Sequence, residues 1–260
     1  MDAWLLWLHM TLMASIRLTL GLVMTPLFSA FGVPALARIV LVLAFASFAA
    51  SLSLDTASAG TAAQQAAILP TDMAALARSA GGEVAVGLLM AVGVHTAFAT
   101  FAIAGRLMDI QMGFSLGAAL DPVSKGHSAV MTSSLNLLAV LLFFVSEAHQ
   151  LLLAAFFKTF ELMPVGQALG IEGWLPVAQG AGVMFSLGFA VAAPVVVALL
   201  LADVVVAVVS RNLPQMNVMF LSIPIKVLLG LAVAVVSVRL LGPVAQKVLM
   251  VPIDLLDKVQ

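Results

Sequence analysis

Six stretches of this chain are apolar over a length that can cross a bilayer, and nothing else constrains its fold as tightly. They run Leu5–Ala30, interrupted by Arg17 and Pro26; Val33–Leu54, with Arg38 near its start; Glu83–Ala104; Ser128–Ser146; Val177–Val209; and Val218–Leu241. Roughly 20 apolar residues cover the ~30 Å hydrocarbon core as a helix. In lipid every backbone N–H and C=O must be satisfied internally, so runs of this length read as helices. The composition agrees: 63% of residues are hydrophobic and 9% charged, against about 45–50% and about 25% in soluble domains. The expected fold class is an all-α integral membrane protein of about six long helices. A net charge of −1 gives no electrostatic case for nucleic acid. With Cys at 0 there is no disulfide framework, thiolate metal site or thiol nucleophile. Tyr is 0 and Trp is 3, so an interfacial aromatic belt is nearly absent. That favours a surface which meets other protein.

The connections add detail. Asp55 to Asp72 is rich in Ala, Ser, Thr and Gln and reads as an exposed loop. Glu147 to Pro176 holds a run at Leu151–Phe160 too short to span, then Met163-Pro164-Val165-Gly166. A break at Asn212-Leu213-Pro214-Gln215 makes the last two stretches a helical hairpin. The fifth stretch, about 33 residues at 1.5 Å each, is roughly 50 Å long and overshoots the bilayer core. Tilt and a kink at Pro194 absorb part of this; the alternative is a helix that stands out of the membrane within an assembly. Basic residues divide almost evenly between alternate loops, and only the basic C-terminal tail favours a cytoplasmic C-terminus. The N-terminus, Met1-Asp2-Ala3-Trp4, lacks the positive region of a cleavable signal, so the first helix is expected to be retained.

The most unusual segment is Gly105-Arg106-Leu107-Met108-Asp109-Ile110-Gln111-Met112-Gly113-Phe114-Ser115. It mixes a charge pair, a glutamine, small residues and methionines between oily helices, and polar groups at membrane depth persist where protein buries them or where they line a path. Loosened backbone is expected here. Met108, Met112, Phe114 and Met131 read either as a deformable apolar seal, since a hydrophobic constriction blocks ions by dewetting, or as ordinary core packing. Gly113-Phe114-Ser115-Leu116-Gly117 matches G-x-S-x-G, but no strand precedes it and nothing orients a histidine, so flexibility and close packing outweigh a serine nucleophile. No metal, nucleotide or phosphate motif is present, and no cofactor is expected. Arg17, Glu83, Asp203 and Lys226 are charges in or near apolar spans; each costs at least ~2.5 kcal/mol at a helix centre if unpaired. Their readings are structural pairs, subunit contacts or a proton path, with Arg17 and Asp203 a candidate pair.

Four stretches resemble the FliR family of flagellar export-gate proteins, relatives of the injectisome SctT proteins: Gly105 to Ser115, Asp121-Pro122, Phe160 to Gly166, and Leu213 to Lys226 (LPQMNVMFLSIPIK). Ser222 stands where a small Gly is expected and Ile225 where Leu is usual. The resemblance implies a non-enzymatic subunit that assembles with FliP-like and FliQ-like proteins into a helical cone, with an FlhB-like partner, in the bacterial inner membrane within the flagellar basal body and projecting toward the periplasm. Residues 1–172 then correspond to a FliP-like part and 173–260 to a FliQ-like hairpin, with a plug loop near 105–120. The plug residues are Gly105, Arg106, Met108, Asp109, Gln111, Met112, Gly113, Phe114, Ser115 and Gly117. Pro214, Gln215, Asn217, Pro224 and Lys226 would set hairpin geometry and subunit contacts. Unfolded flagellar proteins would pass through the lumen. The rival reading is a proton-coupled secondary transporter acting alone, which predicts paired broken helices in both halves; Pro194 and Pro224 lie only in the C-terminal part.

Overall fold

The computed structural model describes residues 3–23, 32–58, 72–114, 129–165, 175–212 and 222–237, and those residues are almost wholly helical. Helix α1 (Ala3–Leu18) runs into a π-helical turn at Thr19–Val23; α2 (Ala35–Ser58), α3 (Met73–Met112), α4 (Val130–Val145), α5 (Ala148–Leu162) and α6 (Leu175–Asn212) follow, and then the shorter apolar α7 (Ser222–Ser237).

Among the described residues four helices are long and apolar enough to cross a membrane: Trp4–Val23, Ala35–Leu52, Met73–Met112 and Gly182–Asn212. The number is five where the bent pair of α4 and α5 is taken as one span. The sixth stretch, Val218–Leu241, lies partly outside the described residues, and its described part is the shorter apolar α7. The fourth apolar stretch is cut at Ser146–Glu147, where Glu147 adopts a left-handed φ of 58° and ends the helical ladder. The third stretch, in contrast, outgrows its expected limits. Asp72 caps it through the Ala75 amide at 2.7 Å, Gly81 and Gly82 sit inside it without breaking it, and it continues to Met112. At 40 residues for α3 and 38 for α6, both helices measure nearly twice the hydrocarbon thickness, at roughly 57–60 Å. Helix α2 also continues through Asp55 to Ser58, into the expected loop.

The chain divides into two compact units interleaved along the sequence: Met1–Thr96 with Glu147–Gly180 and Met250–Gln260, and Ala97–Ser146 with Ala181–Leu249. Helix α3 contributes to each.

In the first unit α1 packs along α2. Its buried stripe is Met10, Met13, Ala14, Arg17 and Leu18, the i, i+3, i+4, i+7, i+8 pattern of one helix face. Facing residues on α2 are small, with Ala46, Ala49 and Ala50 all buried, and small residues let helix backbones approach where lipid supplies no hydrophobic drive between helices. Helix α5 adds Phe157, which meets Phe45 and Phe48 of α2 edge-on at 6.2 and 5.4 Å between centroids.

In the second unit the last part of α3 runs antiparallel to α4. Gly105 lies against Thr132, while Phe98 meets Phe143 at 5.8 Å. Gly188 of α6 fits against Thr100 and Ile103 of α3. The buried face of α6 continues through Val191, Ala192, Val195 and Leu199, yet Phe189, Val197, Leu201 and Val205 on its other faces are exposed and equally apolar. A helix that is oily all round belongs in lipid or in a larger protein core.

Candidate functional site

Each unit holds a polar site built into oily helices. In the first, Arg17 and Glu83 are both 0% exposed. The guanidinium grips the carboxylate with two bonds, Nε to Oε2 at 2.8 Å and Nη2 to Oε1 at 3.1 Å. Its other donors reach the end of α5: Nη1 bonds the Thr159 carbonyl at 3.0 Å and hydroxyl at 3.2 Å, and Nη2 bonds the Met163 carbonyl at 3.0 Å. Those bonds use the full complement of guanidinium N–H groups. The Arg17 guanidinium carbon also lies 4.3 Å from the Phe160 ring centroid, within cation–π range. A helix C-terminus carries unsatisfied carbonyls and partial negative charge; Arg17 answers both, and so holds the Phe160–Met163 stretch in place. The expected pairing of Arg17 with Asp203 is corrected here. Glu83 takes Arg17, and Asp203 of α6 pairs instead with Lys226 of α7. The reason is geometric: a fork of donors needs a carboxylate plus several carbonyls in one place, and Glu83, Thr159 and Met163 supply them. The π-helical turn begins just after Arg17, and Gly21 within it lets the Phe156 ring approach, because a side chain there would collide with the ring.

In the second unit the site is the end of α3. The expectation of loosened backbone from Gly105 does not hold: Gly105–Met112 is helical, and the helix ends at Gly113, whose φ of 85° suits glycine. Arg, Leu, Met and Gln are good helix formers and no proline interrupts them. The odd composition resolves once the residues are placed on helix faces. Gly105, Met108, Asp109 and Met112 recur at i, i+3, i+4 and i+7 and are buried together, whereas Arg106 and Ile110 are exposed. Gly105 is needed because a Cβ there would meet the Thr132 backbone nitrogen at 2.7 Å. Met112 packs into the space left by Gly230 of α7, its Sδ 3.0 Å from where a Cβ would stand.

Asp109 is 2% exposed and accepts three hydrogen bonds from the start of α4. The Met131 amide donates to Oδ1 at 2.8 Å, the Thr132 amide to Oδ2 at 3.0 Å, and the Thr132 hydroxyl to Oδ2 at 2.7 Å. Helix α4 begins after Ala129, which has no side-chain oxygen to cap it. The carboxylate of a residue on the preceding helix thus does the work of an N-cap.

Of the expected plug residues, Met108 and Met112 lie in the packed interior of the second unit, and Gln111, Gly113 and Phe114 are half-buried. Ser115 and Gly117 lie outside the described residues, as do Pro214, Gln215 and Asn217 of the hairpin; Pro224 is exposed on α7. The residues that sequence reasoning missed are Thr159 and the Met163 carbonyl at the first site, and Ala129, Thr132 and Gly230 at the second. None carries a local signal, since each acts through a helix distant in sequence.

An all-helical protein with bilayer-length apolar helices and charges tied internally is an integral membrane protein. The model of the family described as bacterial export proteins, family 1, matches residues 8–250, and the chain belongs to that family. It is 29% identical over 247 residues to the flagellar biosynthetic protein FliR of Bacillus subtilis (strain 168), covering 94% of this chain and 91% of that protein. Identity to the flagellar biosynthetic protein FliR of Escherichia coli (strain K12) is 25% over 162 residues, 62% of each chain. The surface presentation of antigens protein SpaR of Shigella flexneri is 28% identical over 151 residues, 57% of this chain and 58% of that one.

Proposed function

We propose that this protein is a FliR-type subunit of the flagellar type III protein-export gate, a non-enzymatic membrane component that forms a pore for unfolded flagellar proteins together with FliP-, FliQ- and FlhB-like subunits. The observation that carries the reading is the likeness to a flagellar FliR protein along nearly the whole chain, 94% of it, inside a bacterial export family. Its place is the bacterial inner membrane within the flagellar basal body, partly projecting toward the periplasm. Helices α3 and α6 support a projecting assembly, because each is far longer than a bilayer core requires. So does the apolar exposed surface of α6, which needs lipid or protein against it. The segment around Gly105–Gly117 acts as the plug. Its buried stripe, Gly105, Met108, Asp109 and Met112, is the base, and Gly113 is the point where the helical backbone stops and movement can begin. Met112 and Phe114 contribute to the seal at rest. Residues 1–172 form the FliP-like part and 173–260 the FliQ-like hairpin, with Pro214, Gln215, Asn217, Pro224 and Lys226 at subunit contacts.

The test is co-expression of the tagged chain with FliP- and FliQ-like proteins of the same organism, followed by native mass measurement after gentle extraction. A mixed complex holding this chain is expected. A homogeneous particle of this chain alone, in a strain that still swims without it, overturns the reading and returns attention to a solitary transporter.

A further inference from the structure

We infer that the outer face of α1 and α2 is a lipid-facing surface, with Trp4 and Trp7 set at the headgroup boundary. This stands apart from the gate reading: whatever assembly the rest of the chain joins, these two helices lie in the bilayer. Length points to them first. The apolar spans Trp4–Val23 and Ala35–Leu52 hold 20 and 18 residues, roughly 27–30 Å, which matches a hydrocarbon core. Helices α3 and α6, at 40 and 38 residues, overshoot it.

The two faces of α2 differ in kind. Its packed face carries Ala46, Ala49 and Ala50, small residues of the sort that helix contacts in a membrane use. Its outer face is led by bulky side chains, with Leu36, Ile39, Val40 and Leu43 all exposed. On α1, Leu5, Leu8 and Leu12 are exposed opposite the buried stripe. A face that docks another helix in a membrane commonly extends hydroxyls to bond across the contact. Here they are turned back on their own helices. Ser15 donates to the Leu12 carbonyl at 2.7 Å, Ser47 to that of Ala44 at 2.9 Å, and Ser51 to that of Phe48 at 2.7 Å. No Asp, Glu, Lys or Arg falls between Ala3 and Ile16 or between Ile39 and Leu54, and His9, the one histidine in those runs, is half-buried. Arg38, at the opening of α2, donates from Nε to the Val33 carbonyl at 2.8 Å, ahead of the apolar run that follows. Lipid supplies no hydrogen-bond partners, and a face whose hydroxyls are already bonded asks for few.

The tryptophans set the depth. Composition leaves no aromatic belt around the whole molecule, but two of its three tryptophans stand together in the first two turns of α1. Trp4 is 61% exposed and Trp7 38%. Three residues apart, they are neighbours on the helix surface. An exposed indole has an apolar body to shield and an N–H to place, and the headgroup boundary suits both.

The chain contains no cysteine, so Leu12→Cys or Leu43→Cys introduces a single one to carry a nitroxide label. Each variant is purified with its FliP- and FliQ-like partners and reconstituted in vesicles of phosphatidylethanolamine and phosphatidylglycerol. Dissolved oxygen, which concentrates in lipid, is expected to relax both labels several-fold more than a water-soluble nickel chelate does. Labels that neither reagent reaches are covered by a neighbouring subunit and overturn the inference, as do labels that nickel reaches freely. A second measurement leaves the face unaltered: with Trp174→Phe, Trp4 and Trp7 are the remaining emitters. Phosphatidylcholine brominated just below the headgroup is expected to quench them more than the same lipid brominated near its chain ends. Equal, reversed or absent quenching overturns the inference. If no mixed complex forms, the gate reading is what fails, and the same two measurements on the chain alone in those vesicles decide whether this face meets lipid.

Discussion

The ion pairs Arg17–Glu83 and Asp203–Lys226 differ in almost every respect that matters to energetics. Arg17 and Glu83 are sealed from solvent, paired in two places, and supported by carbonyls at the end of α5. Lys226 of α7 and Asp203 of α6 have side chains 21% and 38% exposed, among exposed valines and leucines. Removing one member of a buried pair leaves a charge with neither partner nor solvent, which costs far more than the pair itself contributes. A half-exposed pair lets the survivor turn toward the surrounding medium, and such pairs are worth little. The first pair is therefore a structural lock of its unit. The second is a join between two helices whose remaining surface is exposed and apolar.

The sharpest way to break that contrast is Arg17→Met. It is expected to destabilise the chain by about 3–5 kcal/mol, read as a lowered unfolding midpoint in detergent, and Arg17→Met with Glu83→Met should recover most of the loss. An unchanged midpoint in the single variant would mean that the pair is not buried in the protein as it exists. Next comes Gly105→Ala, expected to cost about 1–3 kcal/mol because the obstacle is Thr132 backbone, which cannot step aside. Gly230→Ala should cost less, since it meets the flexible end of Met112. Equal losses for the two would show that α3 and α4 separate more easily than their packing implies. Thr159→Val removes one donor–acceptor contact of Arg17 and leaves the carbonyl bond, so about 1 kcal/mol is expected. Urea unfolding by tryptophan fluorescence would measure it, and a loss as large as that of Arg17→Met would give the hydroxyl a larger part than its 3.2 Å bond indicates. Smallest of all, Lys226→Met is expected to change the stability of the isolated chain by no more than about 1 kcal/mol. Repeating it in the assembled complex sharpens the comparison: a much larger loss there would mean that a neighbouring subunit buries the hairpin pair.

Much of the architecture was legible from residue types. The apolar stretches announced the helices, and Pro194 is accommodated inside α6, which ends at Asn212. Boundaries were less legible, since Gly81-Gly82 and the Gly105 segment look like interruptions but lie within one 40-residue helix. Glycine costs a helix only about 1 kcal/mol, and packing against Thr132 outweighs it at Gly105. The importance of Gly105–Met112 was visible in its odd mixture of residues, yet the meaning of that mixture was not. Gly105, Asp109 and Met112 each answer a group on α4 or α7, and the nearest donor to Asp109, the Met131 amide, lies 22 residues away in sequence.

What the sequence determined by itself is the class of protein: an all-helical membrane chain, with charges too few and too costly to be accidental. Composition and run length suffice for that because lipid penalises unpaired backbone and charge wherever they fall. What the tertiary structure decided is which faces of those helices meet and which charges pair. In an apolar medium a lipid-facing valine and a core valine look alike, so α6 hides Val195 and exposes Val197 with no signal in residue type. Arg17 likewise finds Glu83 and not Asp203, because a carboxylate and two carbonyls of the end of α5 converge there on one guanidinium.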